Sequence, residues 1–202
     1  MNVKALHNEE QEIWSSFVSG DNKSLETIYR RYFDELYQYG NKWLKNPTLT
    51  QDSIQDLFVK LMRNRSNLTT PQSVKYYLLR SFRSIVLDKL KSSGKVKFTD
   101  EPGEMHFQMG LCPEQQMINQ QEDQISRKRL SEALNQLTPR QREAIFLKYQ
   151  EGLSYPEIAE MLSLTQKATY KLIARAIQTL RSVTKAGLVM MMACLHLAYC
   201  QG

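Results

Sequence analysis

Ser154-Tyr155-Pro156-Glu157-Ile158-Ala159-Glu160-Met161-Leu162-Ser163-Leu164-Thr165-Gln166-Lys167-Ala168-Thr169-Tyr170-Lys171 reads as two helices joined by a tight turn. Ser154 and Glu157 stand three apart, the spacing of a capping box, so a helix starts there. It continues through Ile158, Ala159, Met161 and Leu162. Ser163-Leu164-Thr165 is the turn, and Thr165 is placed to cap the helix that follows. That helix runs through Leu172, Ile173, Ala176, Ile177 and Leu180. Ala159 is small where the two helices must cross closely, and Ile158, Leu162, Leu164, Leu172 and Ile173 are the expected shared core.

A short helix, a three-residue turn and a longer basic helix form the helix-turn-helix pattern, whose second helix enters the DNA major groove by its N-terminal end. Gln166, Lys167, Tyr170 and Lys171 fall in those first turns and can reach base edges; Arg175 lies one turn on and can reach a base or a phosphate. The plain alternative is a helical hairpin with a solvated basic face. The capping box, the turn, Ala159 and a second helix without acids argue together against it. Upstream, Leu137-Thr138-Pro139-Arg140-Gln141-Arg142-Glu143 opens another helix, with Thr138 suited to the cap and Pro139 to the first helical position. Gly152 suits its end.

Working outward, charge marks the domain layout. Lys60 to Lys97 holds ten Lys or Arg and one acid, Asp88, whereas Phe98 to Ile125 holds six acids and no Lys or Arg. Thr165 to Lys185 again has five Lys or Arg and no acid. Two basic surfaces are thus separated by an acidic stretch that also carries Pro102, Gly103, Gly110 and Pro113, the composition of a linker. The expected layout is a first domain over residues 1–92, a flexible acidic linker over 93–124, a helix-turn-helix domain over 125–185 and an apolar tail over 186–202. Ahead of the linker the pattern is helical throughout. Ile28, Tyr32, Leu36 and Tyr39 recur at helical steps, as do Ile54, Leu57, Phe58, Leu61 and Met62 after Thr50 and Asp52 as caps, and then Tyr77, Leu78, Phe82, Ile85, Val86 and Leu90. No stretch alternates as a strand does. The fold class is all-α, with two small helical domains.

The chain of 202 residues has a formal net charge of +6, which favours an anionic partner. Cys112, Cys194 and Cys200 are odd in number and form no CxxC pair, so neither a disulfide framework nor a zinc site is expected. His7, His106 and His196 are far apart, with no metal-like spacing. No phosphate-binding glycine loop is present. The residues predict no cofactor, no small-molecule substrate and no catalytic constellation, hence not an enzyme. The N-terminus lacks an apolar signal core, so a cytoplasmic protein is expected.

Leu137–Glu143, Tyr155–Glu160 and Ile173-Ala174-Arg175-Ala176-Ile177-Gln178-Thr179-Leu180-Arg181 together resemble region 4 of bacterial RNA polymerase sigma factors, which recognises the −35 promoter element. Leu25-Glu26-Thr27-Ile28-Tyr29-Arg30-Arg31-Tyr32 resembles the start of region 2. Thr50-Gln51-Asp52-Ser53-Ile54-Gln55-Asp56-Leu57-Phe58 resembles region 2.2, the polymerase clamp helix, and Tyr76–Leu90 resembles the helix that melts and reads the −10 element. The resemblance spans about residues 12–91 and 125–182. With no separate region 3, it is that of the extracytoplasmic-function group.

It implies transcription initiation, with core RNA polymerase (β′ clamp and β flap), promoter DNA and an anti-sigma factor as partners. Asp52, Gln55, Asp56 and Phe58 would face polymerase. Tyr76, Tyr77, Arg80, Arg83 and Ser84 would face the −10 element, and Lys75, Lys89 and Lys91 would extend its basic field. Aromatic platforms of this kind contribute roughly 1–3 kcal/mol per unpaired base. The polar segment Asn64–Ser73 would grip a flipped-out base, and the acidic linker would thread the channel that RNA later occupies. Ser84 stands where the family often has asparagine, Ser163 where the turn often has glycine, and Thr169 where an apolar β-branched residue is usual.

Two questions stay open on the residues alone. A helix-turn-helix regulator that never docks on polymerase has the same second domain. The apolar run Ala186–Cys200, broken by His196, is short for a spanning helix, which needs about 20 residues. It reads as a terminal helix packed on the protein or a partner, with a frayed extension of the preceding helix or membrane attachment as alternatives.

Overall fold

The computed structural model describes residues 3–93, 107–109 and 131–183. The chain divides into two compact units between Phe98 and Thr99. The tail over 186–202 and most of the acidic segment lie outside the described residues. Among those described there is no strand.

The first unit holds α1 (Val3–Val18), α2 (Asn22–Leu44), α3 (Pro47–Arg63), a 3-10 turn (Arg65–Asn67) and α4 (Val74–Ser92). Asp21 starts α2: its carboxylate accepts the Lys23 and Ser24 backbone N–H groups at 3.1 and 3.0 Å. The Ser24 hydroxyl, followed by the Lys23 amide, holds the Asp21 carboxyl below its ordinary range. Asn46, followed by Pro47, caps α3 and accepts the Leu49 N–H at 3.1 Å. This corrects the expectation that Thr50 or Asp52 caps it. Thr50 is already inside the helix, fully buried, and its hydroxyl lies 2.9 Å from both Asn41 Oδ1 and the Asn46 carbonyl.

The core of this unit is Leu36, Tyr39 and Trp43 from α2, Ile54, Leu57 and Leu61 from α3, and Leu78, Leu79, Phe82 and Val86 from α4. Gly40 sets the closeness of the crossing. A Cβ there would sit 2.7 Å from Thr50 Cγ2 and 2.9 Å from Phe82 Cζ, so only hydrogen fits. α1 closes the other side of α2 through Arg31–Glu9 at 2.8 Å and a Tyr32 hydroxyl that donates to Glu10 at 2.6 Å. Burial, with Glu10 second, pushes the Tyr32 phenol far up.

The second unit has a helical stretch over 131–136, then α5 (Pro139–Tyr149), α6 (Tyr155–Met161) and α7 (Gln166–Val183). Ser154 forms a capping box with Glu157, as the spacing predicts, and Thr138, the expected cap, forms one with Gln141. Gly152 takes a left-handed φ of 73° after α5. Arg140 donates to the Leu162 carbonyl at 2.9 Å, placing a cation on the last carbonyls of α6. Ser163 has φ 53°, the left-handed conformation for which glycine is suited. Of the five expected core residues, Ile158, Leu162 and Ile173 are buried, while Leu164 and Leu172 are half-buried. Within the segment read as a tether, Phe107 is fully buried, with its ring edge-on to Phe146 at 5.6 Å, and Met109 is also buried.

Candidate nucleic-acid interface

α7 begins at the Thr165 cap, whose Oγ1 accepts the Ala168 N–H at 3.2 Å. Thr169 is fully buried, and its hydroxyl donates to the Thr165 carbonyl at 3.1 Å. An internal bond therefore satisfies the polar atom that replaces an apolar side chain there. The inner side of α7 is Thr169, Ile173, Ala176 and Leu180. The opposite side leaves Gln166, Lys167, Tyr170, Lys171 and Arg175 all exposed. Lys167, Lys171 and Arg175 follow at four-residue steps and share one face.

Tyr170 keeps 52% of its surface. Its ring lies on that of Tyr155, with centroids 3.9 Å apart and planes at 22°. The Lys148 ammonium sits 4.8 Å from the Tyr155 centroid and donates to the Leu153 carbonyl at 3.1 Å. One surface stack therefore joins α5, the start of α6 and α7. The sequence reading missed Tyr155, because the contact depends on how α6 crosses α7.

In the first unit, Arg80 and Ser84 are exposed on α4, and Tyr76 and Tyr77 are half-buried. Trp14 of α1 covers one side of Tyr77, edge-on at 5.2 Å. Arg83 is corrected from the surface set: it is 8% exposed, with its guanidinium 5.7 Å from the Trp43 ring centroid. A long side chain carries it into the α2 interface, where it packs as a cation on an aromatic face. The basic field is also smaller than the sequence suggests. Lys75 pairs with Glu35 at 3.2 Å and Lys89 with Asp56 at 2.6 Å, while Lys91 is exposed.

On α3, Asp52, Gln55 and Asp56 are exposed. Phe58 is not: it is buried, packed edge-on against Tyr29 at 5.0 Å, and serves the core. The exposed apolar side chains are instead Val59 (44%) and Met62 (54%). Residues 52, 55, 56, 59 and 62 fall at helical spacing on one stripe, polar at its start and apolar at its end. Among the described residues, no group of His, Cys, Asp or Glu could hold a metal ion.

Two segments match family models in the order this geometry suggests: sigma-70 region 2 over residues 28–96 and sigma-70 region 4 over residues 127–180. The chain belongs to the sigma-70 family. Like other sigma factors, then, it is a transcription initiation protein and not an enzyme. Among curated relatives, this sigma factor is 25% identical over 165 residues to the ECF RNA polymerase sigma factor BldN of Streptomyces coelicolor, covering 80% of this chain and 61% of that one. It is 26% identical over 168 residues to the RNA polymerase sigma factor YlaC of Bacillus subtilis, covering 81% of this chain and 94% of that one. The match thus spans less than two thirds of BldN and nearly all of YlaC. The sigma factor RpoE of Bartonella quintana, solved with the anti-sigma factor NepR, aligns with a TM-score of 0.58 at 20% identity, over 81% of this chain and 98% of that one. The all-helical fold of the family accounts for both units.

Proposed function

We propose that this sigma factor of the extracytoplasmic-function type binds core RNA polymerase and brings it to promoters, reading the −35 element with α7 and helping to open the −10 element with α4 and the segment before it. The observation that carries the reading is α7 itself. Five polar or aromatic side chains stand exposed on an acid-free helix whose other side is fully committed to the core of a helix-turn-helix. Lys167, Lys171 and Arg175 supply phosphate and guanine contacts, and Gln166 suits adenine. Tyr76, Tyr77, Arg80 and Ser84 form the −10 surface, where rings stack on unpaired bases.

α3 is the polymerase surface, with Asp52, Gln55 and Asp56 at the polar end of the stripe and Val59 and Met62 at the apolar end. The second unit would meet the β flap, and the acidic segment over 93–124 would sit among basic groups that later face RNA. The protein acts in the cytoplasm, where polymerase is. No described helix is long and apolar enough to cross a membrane. An anti-sigma factor is the expected regulator, as NepR is the partner of RpoE in the solved complex.

Promoter binding by the free chain and by the chain with core polymerase tests this. Two modest basic surfaces in separate units give weak binding alone, and polymerase supplies the second attachment. Tight, sequence-specific binding by the free chain at physiological salt, unchanged by polymerase, would support a conventional regulator instead.

A further inference from the structure

α1 lies outside the family-matched residues 28–96, yet it holds the segment that leads into α4. Trp14 is fully buried. Its indole Nε1–H donates to the Thr69 carbonyl at 3.2 Å. The same ring meets Tyr77 edge-on at 5.2 Å and Phe17 at 5.8 Å. One turn earlier, Gln11 Nε2 donates to the Pro71 carbonyl at 3.4 Å, and Ser15, the residue after Trp14, has its Oγ 3.4 Å from Thr70 Oγ1. At its start the segment is held by Arg65, which donates to the Gly20 carbonyl at 3.2 Å and to Asn22 at 3.3 Å. Both ends are thus fixed, largely through backbone carbonyls, while Ser66, Asn67, Thr69, Thr70 and Gln72 keep their side chains exposed.

We propose that Trp14 is a positioning residue for promoter opening: its indole holds the Thr69 carbonyl while its ring braces Tyr77, fixing the base-gripping segment and the −10 aromatic relative to each other. This rests on the reading of that segment and of α4 as the surface that takes unpaired bases. A loop already held in its working shape loses little freedom when it captures a base. A purely structural tryptophan would contribute to stability alone, whereas a positioning one acts where a base must be drawn from the stack.

The test uses the full chain with core RNA polymerase on promoter DNA carrying 2-aminopurine in the −10 element, as intact duplex and as a pre-opened bubble. Trp14→Phe keeps a ring against Tyr77 and removes the N–H donor. It is expected to lower open-complex formation on duplex by about tenfold, the scale of one lost hydrogen bond. Polymerase affinity stays unchanged, and the bubble, on which opening is already done, rescues the variant. Gln11→Ala, which leaves Trp14 in place, should show a smaller loss of the same kind. Wild-type opening by both variants would overturn the proposal. So would equal loss on both templates with a lowered melting temperature, the signature of a structural residue. The double variant Asn67→Ala/Gln72→Ala separates the two readings. If it opens duplex normally, the segment is not the base grip; if it is defective while Trp14→Phe is normal, only the role of Trp14 fails.

Discussion

The ring of Tyr155, first residue of α6, lies nearly parallel to that of Tyr170 on α7, 3.9 Å between centroids. A half-exposed aromatic on a helix surface is ordinarily free to change rotamer; this one has a face covered. Tyr170→Ala should weaken −35 binding by about 1–2 kcal/mol, the scale of one lost specific contact. Tyr155→Ala should show part of that loss, and the pair should couple by about 0.5–1.5 kcal/mol in a double-mutant cycle. Additive losses would mean that the stack does not serve DNA binding.

Lys171 and Arg175 are exposed one turn apart on α7. Each alanine substitution should cost about 1–3 kcal/mol if it removes a base contact, and should relax preference at one −35 position. If it removes a phosphate contact, all sequences weaken alike and the salt slope falls by about one. Polymerase affinity should not change. Promoter output unaffected by either substitution would remove α7 from the groove.

Phe58 and Val59 are neighbours in sequence with opposite surroundings, one buried on Tyr29 and the other 44% exposed. Phe58→Ala should therefore destabilise the first unit by about 3–5 kcal/mol, measured by chemical denaturation. Val59→Asp and Met62→Glu should leave stability within about 0.5 kcal/mol, as surface substitutions do. Polymerase affinity should nonetheless fall by about tenfold or more, as for an apolar anchor in a docking surface. If all three variants act alike, the assignment of faces on α3 is wrong.

Ser163 holds φ 53° in the helix-turn-helix turn. A left-handed non-glycine residue costs roughly 1–2 kcal/mol, and glycine gives back part of that through freedom gained in the unfolded chain. Ser163→Gly should stabilise the second unit by about 0.5–1 kcal/mol in thermal unfolding, with DNA preference unchanged. Destabilisation would show that the turn depends on the serine side chain.

The Thr138 cap and the Ser154 capping box were legible because a cap is local: donor, acceptor and spacing all lie within four residues. The exposed row on α7 was legible for a related reason, since its apolar residues repeat at a clear helical period. The Asn46 cap was missed because Thr50 and Asp52 also suit a cap, and only the buried Thr50–Asn41 bond shows that the helix is already under way. Adjacent residues such as Phe58 and Val59 sit about 100° apart on a helix. Which of them turns inward is decided by Tyr29 on another helix, not by the local pattern. Arg83 and Lys89 looked like surface cations, but Trp43 and Asp56, both distant in sequence, engage them. Phe107 stands in a polar, acidic context, and its seat against Phe146 depends on a non-local contact.

Run-off transcription with purified core polymerase and fragments of the source genome tests the central claim most directly. Core enzyme alone should start nowhere specific. With this chain added, it should start from a small set of fragments sharing one −35 and one −10 sequence, and Lys171→Ala or Arg175→Ala should reduce those transcripts. Promoter-specific starts that do not depend on the added chain, or no specific starts when it is present, would contradict the account.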